Sequence, residues 1–169
     1  EIAARVIRHI GLDASVFNVE MMYNRETDRI HIIEINPRMC GQFADLWESV
    51  HGTNTYEILF SLAAGEQPRF RRESGRFKVA ASFPLRLFED RRVIRVPDVH
   101  QIEAVQRAFP VTLVKAYYRA GERLSDRNQG DGQSYRYGVV NMAGDDQPSL
   151  LASFEEVRRR LGFSFGEIG

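Results

Sequence analysis

The 169-residue sequence predicts an α+β fold: an antiparallel sheet with flanking helices, followed by a small β-rich α/β lobe. Three observations carry that expectation. Residues 15–23 and 29–36 alternate apolar and polar around the polar run "NRETD", the pattern of a β-hairpin. Helical spacing of apolar residues recurs at the start of the chain, after Gly41 and at its end. Beyond residue 76 extended runs dominate, with a helix-like segment between the second and third of them.

The elements follow in order. "EIAARVIRHIG" sets Ile2, Val6 and Ile10, with Ala3 and Ile7, on one helical stripe that Gly11 closes. The hairpin comes next, then Pro37, Gly41 and a helix over "FADLWESV". "HGTNTYEILFSLAAGEQP" reads as a further helix, with Asn54 and Glu57 at capping-box spacing and Gly65 as its stop. The arginine-rich "RFRRESGR", 69–76, reads as a solvated connector, dividing a first domain over 1–68 from a second over 77–169. In the second, "FKVAASFPL", "RRVIRVP", "VTLVKAYYR" and "YRYGVVNM" read as strands and "DVHQIEAVQRAF" as a helix. The loop 124–134 is polar and contains glycine. A final helix over "PSLLASFEEVRRRLGF" has Pro148 in its first turn and Gly162 at its end.

Composition excludes several functional classes. Basic and acidic residues balance at 23 each, so no global basic excess marks a nucleic-acid scaffold. The one cysteine, Cys40, excludes an internal disulfide and any multi-cysteine zinc site, and suits a reducing, cytoplasmic setting. No stretch approaches the roughly 18 apolar residues that a membrane span needs. The sequence starts at Glu1, inside a helix-like stretch and without methionine, which reads as a piece of something longer.

The hairpin carries the chemistry. In the register that opposes Glu20 to Glu34, strict alternation puts Asn18, Glu20 and Met22 on one face with Ile30, Ile32, Glu34 and Asn36. Phe17, Val19, Met21 and Tyr23 then share the other face with Ile33 and Ile35, which reads as the core face. Two carboxylates about 5 Å apart repel, and a hard divalent cation (Mg²⁺ or Mn²⁺) relieves the repulsion. Asn36 adds a neutral oxygen, and Arg38 places a planar cation at the strand's end that can grip phosphate or carboxylate bidentately. Met22 and Ile32 would form an apolar shelf suited to a flat base. An ordinary wet hairpin face accounts for the same residues, and a different register separates Glu20 from Glu34.

"GLDASVFNVEMMYNRETDRIHIIEINPRMCG", followed by "GTNTYEILFSLAAGE", resembles the C-terminal half of an ATP-grasp domain, in the branch of biotin carboxylase, carbamoyl phosphate synthetase and L-amino-acid ligases. That family carries a glutamate on one strand, then Glu-x-Asn and an arginine on the next. The resemblance implies that Glu20 and Glu34 bind Mg²⁺ ions (or Mn²⁺) bridging the ATP phosphates, with Glu34 thereby also holding the nucleotide. It implies that Asn36 completes a metal site, Arg38 stabilises an acyl-phosphate, and Met22 lies beside the adenine. Residues 76–165 resemble, more weakly, the small C-terminal lobe of biotin carboxylase-like enzymes.

The implied activity is ATP-dependent ligation of a carboxylate to an amine or similar nucleophile. The resemblance leaves room for a homodimer and implies neither nucleic acid nor membrane as a partner. The family's N-terminal ATP-grasp lobe, with its phosphate-binding lysines and Gly-rich flap, is absent: Lys78 and Lys115 are the only lysines. The chain alone is therefore expected not to turn over ATP. After Arg38 the family's carboxylases carry Gln-Val-Glu, whereas here the run is Met39-Cys40-Gly41-Gln42, which favours a ligase over a carboxylase or carbamoyl phosphate synthetase-like subunit. A non-catalytic binding domain of ATP-grasp shape is the alternative of a different class. His9, His31, His51 and His100 are scattered, and His31 falls on the Ile33 face. No histidine is placed to activate Cys40 as a nucleophile. Asp126, Asp131, Asp145 and Asp146 fall in polar loops.

Overall fold

A short amphipathic helix, α1 (Ile2–His9), opens the chain; Ile7 is its one buried residue, and Gly11 turns the backbone out of it at φ +70°. The computed structural model describes residues 2–109, 111–127 and 132–168; Asp131 and most of the "QGDGQ" run lie outside the described residues. Two compact units result, Glu1–Ser74 and Gly75–Gly169.

In the first unit, β1 (Asn18–Asn24) and β2 (Arg29–Asn36) form a two-stranded antiparallel ribbon. A 3-10 turn (Gly41–Phe43) leads into α2 (Ala44–His51), and α3 (Thr55–Ala63) follows. Asn54 caps α3 by accepting from the Tyr56 amide at 3.0 Å, and its own amide donates to Glu48 at 2.8 Å. The cap is therefore a single bond, and no return bond from Glu57 completes a box. The arginine-rich run is exposed, as a charged connector should be. It is nonetheless tied to α2: the Glu73 amide donates to His51 Nδ1 at 3.0 Å, and Ser74 Oγ donates to the His51 carbonyl. Trp47, His51 and Phe70 gather beside these bonds, with ring centroids 4.7 to 5.7 Å apart.

The second unit is built on β3 (Val79–Leu87), β5 (Leu113–Ala116) and β6 (Tyr135–Gly144), in the order β3-β6-β5 and antiparallel throughout. Alternation sends Phe83, Leu85, Val140 and Met142 toward α4 (Val99–Ala108) and α5 (Gln147–Leu161). There they meet Val105, Leu150, Val157 and Leu161, the last two fully buried. Phe83 stacks on Phe154 at 3.9 Å. Each such side chain contributes about 1.5–3 kcal/mol of burial, so this layer anchors the unit.

Both helices are capped as their sequences require. Asp98 and Gln101 form a capping box on α4; Asp146 accepts from Ser149 on α5, and Gly162 ends it at φ +61°. A second small sheet pairs β4 (Arg92–Arg95) with β7 (Ser164–Gly166), a strand the sequence pattern did not show because it is three residues long. The loop read as polar contributes Leu124, fully buried against Val93 and Tyr118, whose hydroxyl donates to the Leu124 carbonyl at 2.8 Å.

Candidate functional site

The turn of the hairpin fixes its register. Asn24 Oδ1 accepts from the amides of Glu26 and Thr27 at 2.9 and 3.1 Å, an Asx-type closure, and Asp28 takes a positive φ of 52° that Asp tolerates. Tyr23 then donates to Asp28 at 2.8 Å, and that bond, with slight burial, raises the tyrosine's pKa. From this end the strands pair Asn24 with Arg29, Tyr23 with Ile30, Met22 with His31 and Met21 with Ile32. From the other end they pair Asn18 with Asn36, Val19 with Ile35 and Glu20 with Glu34.

The two runs differ by one residue, and a bulge between Glu20 and Met21 on one side leaves Ile33 as the extra residue on the other. Glu20 and Glu34 are thus directly opposed, as the carboxylate argument requires. The apolar shelf is not where strict alternation put it. Below the bulge every β2 residue changes face, so Ile30 and Ile32 join Met21 and Tyr23, and His31 joins Met22 on the carboxylate face. The expected core face is also not a core within this chain: Phe17, Tyr23 and Ile33 stay exposed at 38, 54 and 59%.

The corrected face carries four facing pairs along the ribbon: Asn18 with Asn36, Glu20 with Glu34, Met22 with His31, and Asn24 with Arg29. Both glutamates are exposed, and Asn18 and Asn36 are half-buried. Arg38 lies in the bend after β2, exposed, its Nη1 3.4 Å from the Met39 carbonyl. Cys40 is half-buried with a free thiol, and its carbonyl accepts from the Phe43 amide at 3.2 Å as the 3-10 turn begins. Sequence reasoning assigned no role to Asn18 or His31. The hairpin sum that paired Glu20 with Glu34 already implied the first; nothing in "RIHIIEIN" signals the bulge that places the second.

Among the described residues no group of three or more His, Cys, Asp or Glu side chains could hold a metal. Around the opposed glutamates the oxygen donors are their two carboxylates and the amide oxygens of Asn18 and Asn36. That set suits a hard cation sharing its shell with phosphate and water oxygens rather than a fully protein-caged ion. One imidazole and one thioether, His31 and Met22, fall short of the four nitrogen and sulfur ligands of a structural zinc site.

Comparison with solved structures now places this architecture. The chain aligns over 95% of its length with the phosphoribosylaminoimidazole carboxylase ATPase subunit from Aquifex aeolicus, at a TM-score of 0.57 and 16% identity. It aligns over 87% with the urea carboxylase and with the urea amidolyase of Kluyveromyces lactis, each at a TM-score of 0.51 and 13% identity. The likeness is one of fold, and it agrees with the C-terminal ATP-grasp, biotin carboxylase-type architecture that the sequence resemblance implies. The match spans 42% of the Aquifex subunit and 12 and 8% of the two larger proteins. No family model and no curated protein matches the sequence. No helix among the described residues is long and apolar enough to cross a membrane.

Proposed function

We propose that the β1–β2 face binds the phosphates of Mg-ATP (or Mn-ATP) in an ATP-dependent ligase. Residues 1–68 would form the C-terminal part of its ATP-grasp domain, and 77–169 a small biotin carboxylase C-terminal-like lobe. The observation that carries the reading is the pairing of Glu20 with Glu34, flanked by Asn18 with Asn36. Glu20, Glu34 and Asn36 hold the metal, Glu34 thereby also binds the nucleotide, and Met22 flanks the base. Bound Mg²⁺ would neutralise charge on the phosphates and polarise the γ-phosphoryl group.

The chemistry is carboxylate activation. A substrate carboxylate oxygen attacks the γ-phosphorus, the bond to the β–γ bridging oxygen breaks, and ADP leaves an acyl-phosphate. Arg38 donates to the phosphoryl oxygens as their charge develops. An amine or similar nucleophile then attacks the acyl carbon, the C–O bond to phosphate breaks, and the amine gives up its proton. The remaining walls of the cleft, including the lysine-bearing lobe, come from residues outside this chain, so the 169 residues alone do not turn over ATP. The setting is cytoplasmic.

A second reading, an ATP-dependent carboxylase, has specific support, since two of the similar structures are a carboxylase ATPase subunit and a urea carboxylase. The Met39–Gln42 run in place of Gln-Val-Glu weighs against bicarbonate as substrate here. Calorimetric titration of the full-length protein with Mg-ATP tests the metal–nucleotide site. Wild type should bind at least tenfold more tightly than the variant carrying Glu34→Ala and Asn36→Ala. Equal affinity of the two leaves only a binding domain of ATP-grasp shape.

A further inference from the structure

The bulge at Ile33 puts on the carboxylate face a side chain that alternation alone would have sent to the other side. His31 faces Met22, one facing pair from Glu20 and Glu34 toward the turn. It is exposed, and its imidazole makes no hydrogen bond or ion pair among the described residues. Met22 beside it is 61% exposed.

The pairs on either side of the glutamates differ in chemistry, although a guanidinium lies near each end of the face, Arg38 after β2 and Arg29 opposite Asn24 at the turn. Beyond the glutamates toward the open end lie the Asn18–Asn36 pair and then Arg38, amides and a guanidinium suited to phosphoryl and carboxylate oxygens. Toward the turn lies a thioether paired with an imidazole, an apolar surface next to a group that can both donate and accept. A nucleoside triphosphate whose phosphates sit at the glutamates therefore has its sugar and base at Met22 and His31. The distance fits: the side chain two residues on along a strand is about 7 Å away.

We propose that His31 is a specificity-determining residue that hydrogen-bonds the nucleoside part of a bound nucleoside triphosphate; the proposal rests on the nucleotide reading of the Glu20–Glu34 site. Met22 supplies the apolar contact under the base, and His31 supplies the polar contact that distinguishes a nucleoside from a bare polyphosphate. The imidazole acts by hydrogen bonding and has no part in phosphoryl transfer.

The test compares Mg-ATP with Mg-tripolyphosphate, which keeps the metal and phosphates but has no nucleoside. Both are titrated into the full-length protein as wild type, His31→Ala, His31→Gln and Glu34→Ala. Loss of one neutral hydrogen bond should weaken Mg-ATP binding by His31→Ala about three- to tenfold. Tripolyphosphate binding should stay within twofold of wild type, and His31→Gln, which keeps a donor and an acceptor, should recover part of the loss. Unchanged Mg-ATP affinity in His31→Ala overturns the proposal. So does an equal loss for both ligands, which would mean that the ribbon itself was disturbed. If instead wild type binds Mg-ATP no better than Glu34→Ala, the nucleotide reading fails and takes this assignment with it.

Discussion

Opposed glutamates make a prediction whose sign reverses with the ligand. Glu20 and Glu34 face each other across the ribbon, and both are exposed. Facing side chains in an antiparallel pair lie about 5 Å apart. At that separation two like charges repel by about 0.8 kcal/mol in a water-like dielectric and about 3 kcal/mol at an effective constant near 20. Exposure puts this pair near the lower figure. Glu20→Gln keeps the side chain's shape and removes the repulsion, so in EDTA the variant should be more stable than wild type by about 0.5–1 kcal/mol. The gain should vanish in 1 M salt, where the Debye length falls to about 3 Å. With Mg-ATP at a hundred times its dissociation constant, wild type gains about 2.7 kcal/mol by mass action, and the variant should lose most of that gain. Urea denaturation of the full-length protein with and without Mg-ATP reads both halves. A Glu20→Gln variant that is less stable in EDTA and keeps the full Mg-ATP gain would refute the reasoning, because the carboxylates would then be neither repelling nor sharing a cation.

Two further predictions concern chemistry and the second unit's packing, and a third concerns pH. Arg38→Ala in the full-length protein should lower kcat about 10²–10³-fold with nucleotide affinity changed far less, the pattern of a donor acting on the transition state; steady-state kinetics beside direct binding would show it. Leu161→Ala empties a fully buried site in the core cluster that also holds Val105, Val140 and Val157, and should cost about 3 kcal/mol, within the 2–5 kcal/mol range for such truncations. Chemical denaturation should show a loss above 1 kcal/mol. Hydrogen bonds from Arg159 and Arg160 hold the Glu156 carboxyl down at about 2, against an ordinary 4.5. A folded-state pKa below the unfolded one stabilises above the unfolded value, and the contribution is lost as pH falls from about 4.5 toward 2. Glu156→Gln should therefore be less stable than wild type at pH 7, and the two should converge in acid.

The hairpin and the five α-helices among the described residues were legible because each has a local cause: alternation around a polar turn, apolar residues at helical spacing, and caps such as Asp98, Asp146 and Gly162; the register at the glutamates was one of those the sequence left open. What stayed hidden was not local. Ile32 and Ile33 are both strong strand formers, so alternation runs unbroken through the bulge, and the slip that moves His31 is set by the turn closing from one end and the glutamate pairing from the other. Leu124 sits in a stretch of polar neighbours, and it is buried because Val93 and Tyr118 come to it from distant sequence. β7 is too short to show a period and exists as a partner to β4. At the site, the types and spacing of Glu20, Glu34, Asn36 and Arg38 could be read directly, whereas Asn18 and His31 became candidates only through cross-strand pairing.

The distribution of burial adds one more consequence. β6 is the central strand of its sheet, bonded on both sides, and its residues from Gly138 to Met142 are buried. The β1–β2 ribbon has one ladder and is exposed over most of its length, on both faces. A two-stranded hairpin is marginal by itself, so its opening free energy should lie near the bottom of the range that local unfolding spans, and that of β6 near the top. Hydrogen exchange of the 169-residue chain should show β6 amides protected at least 10²-fold more than those of β1 and β2; a 10²-fold ratio corresponds to about 2.7 kcal/mol at 25 °C. Comparable protection in both would refute the argument, since it would mean that the ribbon draws stability from packing that its exposure does not show. A site carried on such a ribbon is not preorganised by its own element. In the proposed site the turn and the Glu20–Glu34 pairing would deliver the oxygen ligands in register, but their rigidity would have to come from what binds them: cation, phosphates and whatever packs on the Met21, Tyr23, Ile30 and Ile32 face. In the full-length protein, Mg-ATP should therefore slow exchange in β1 and β2 far more than in β6.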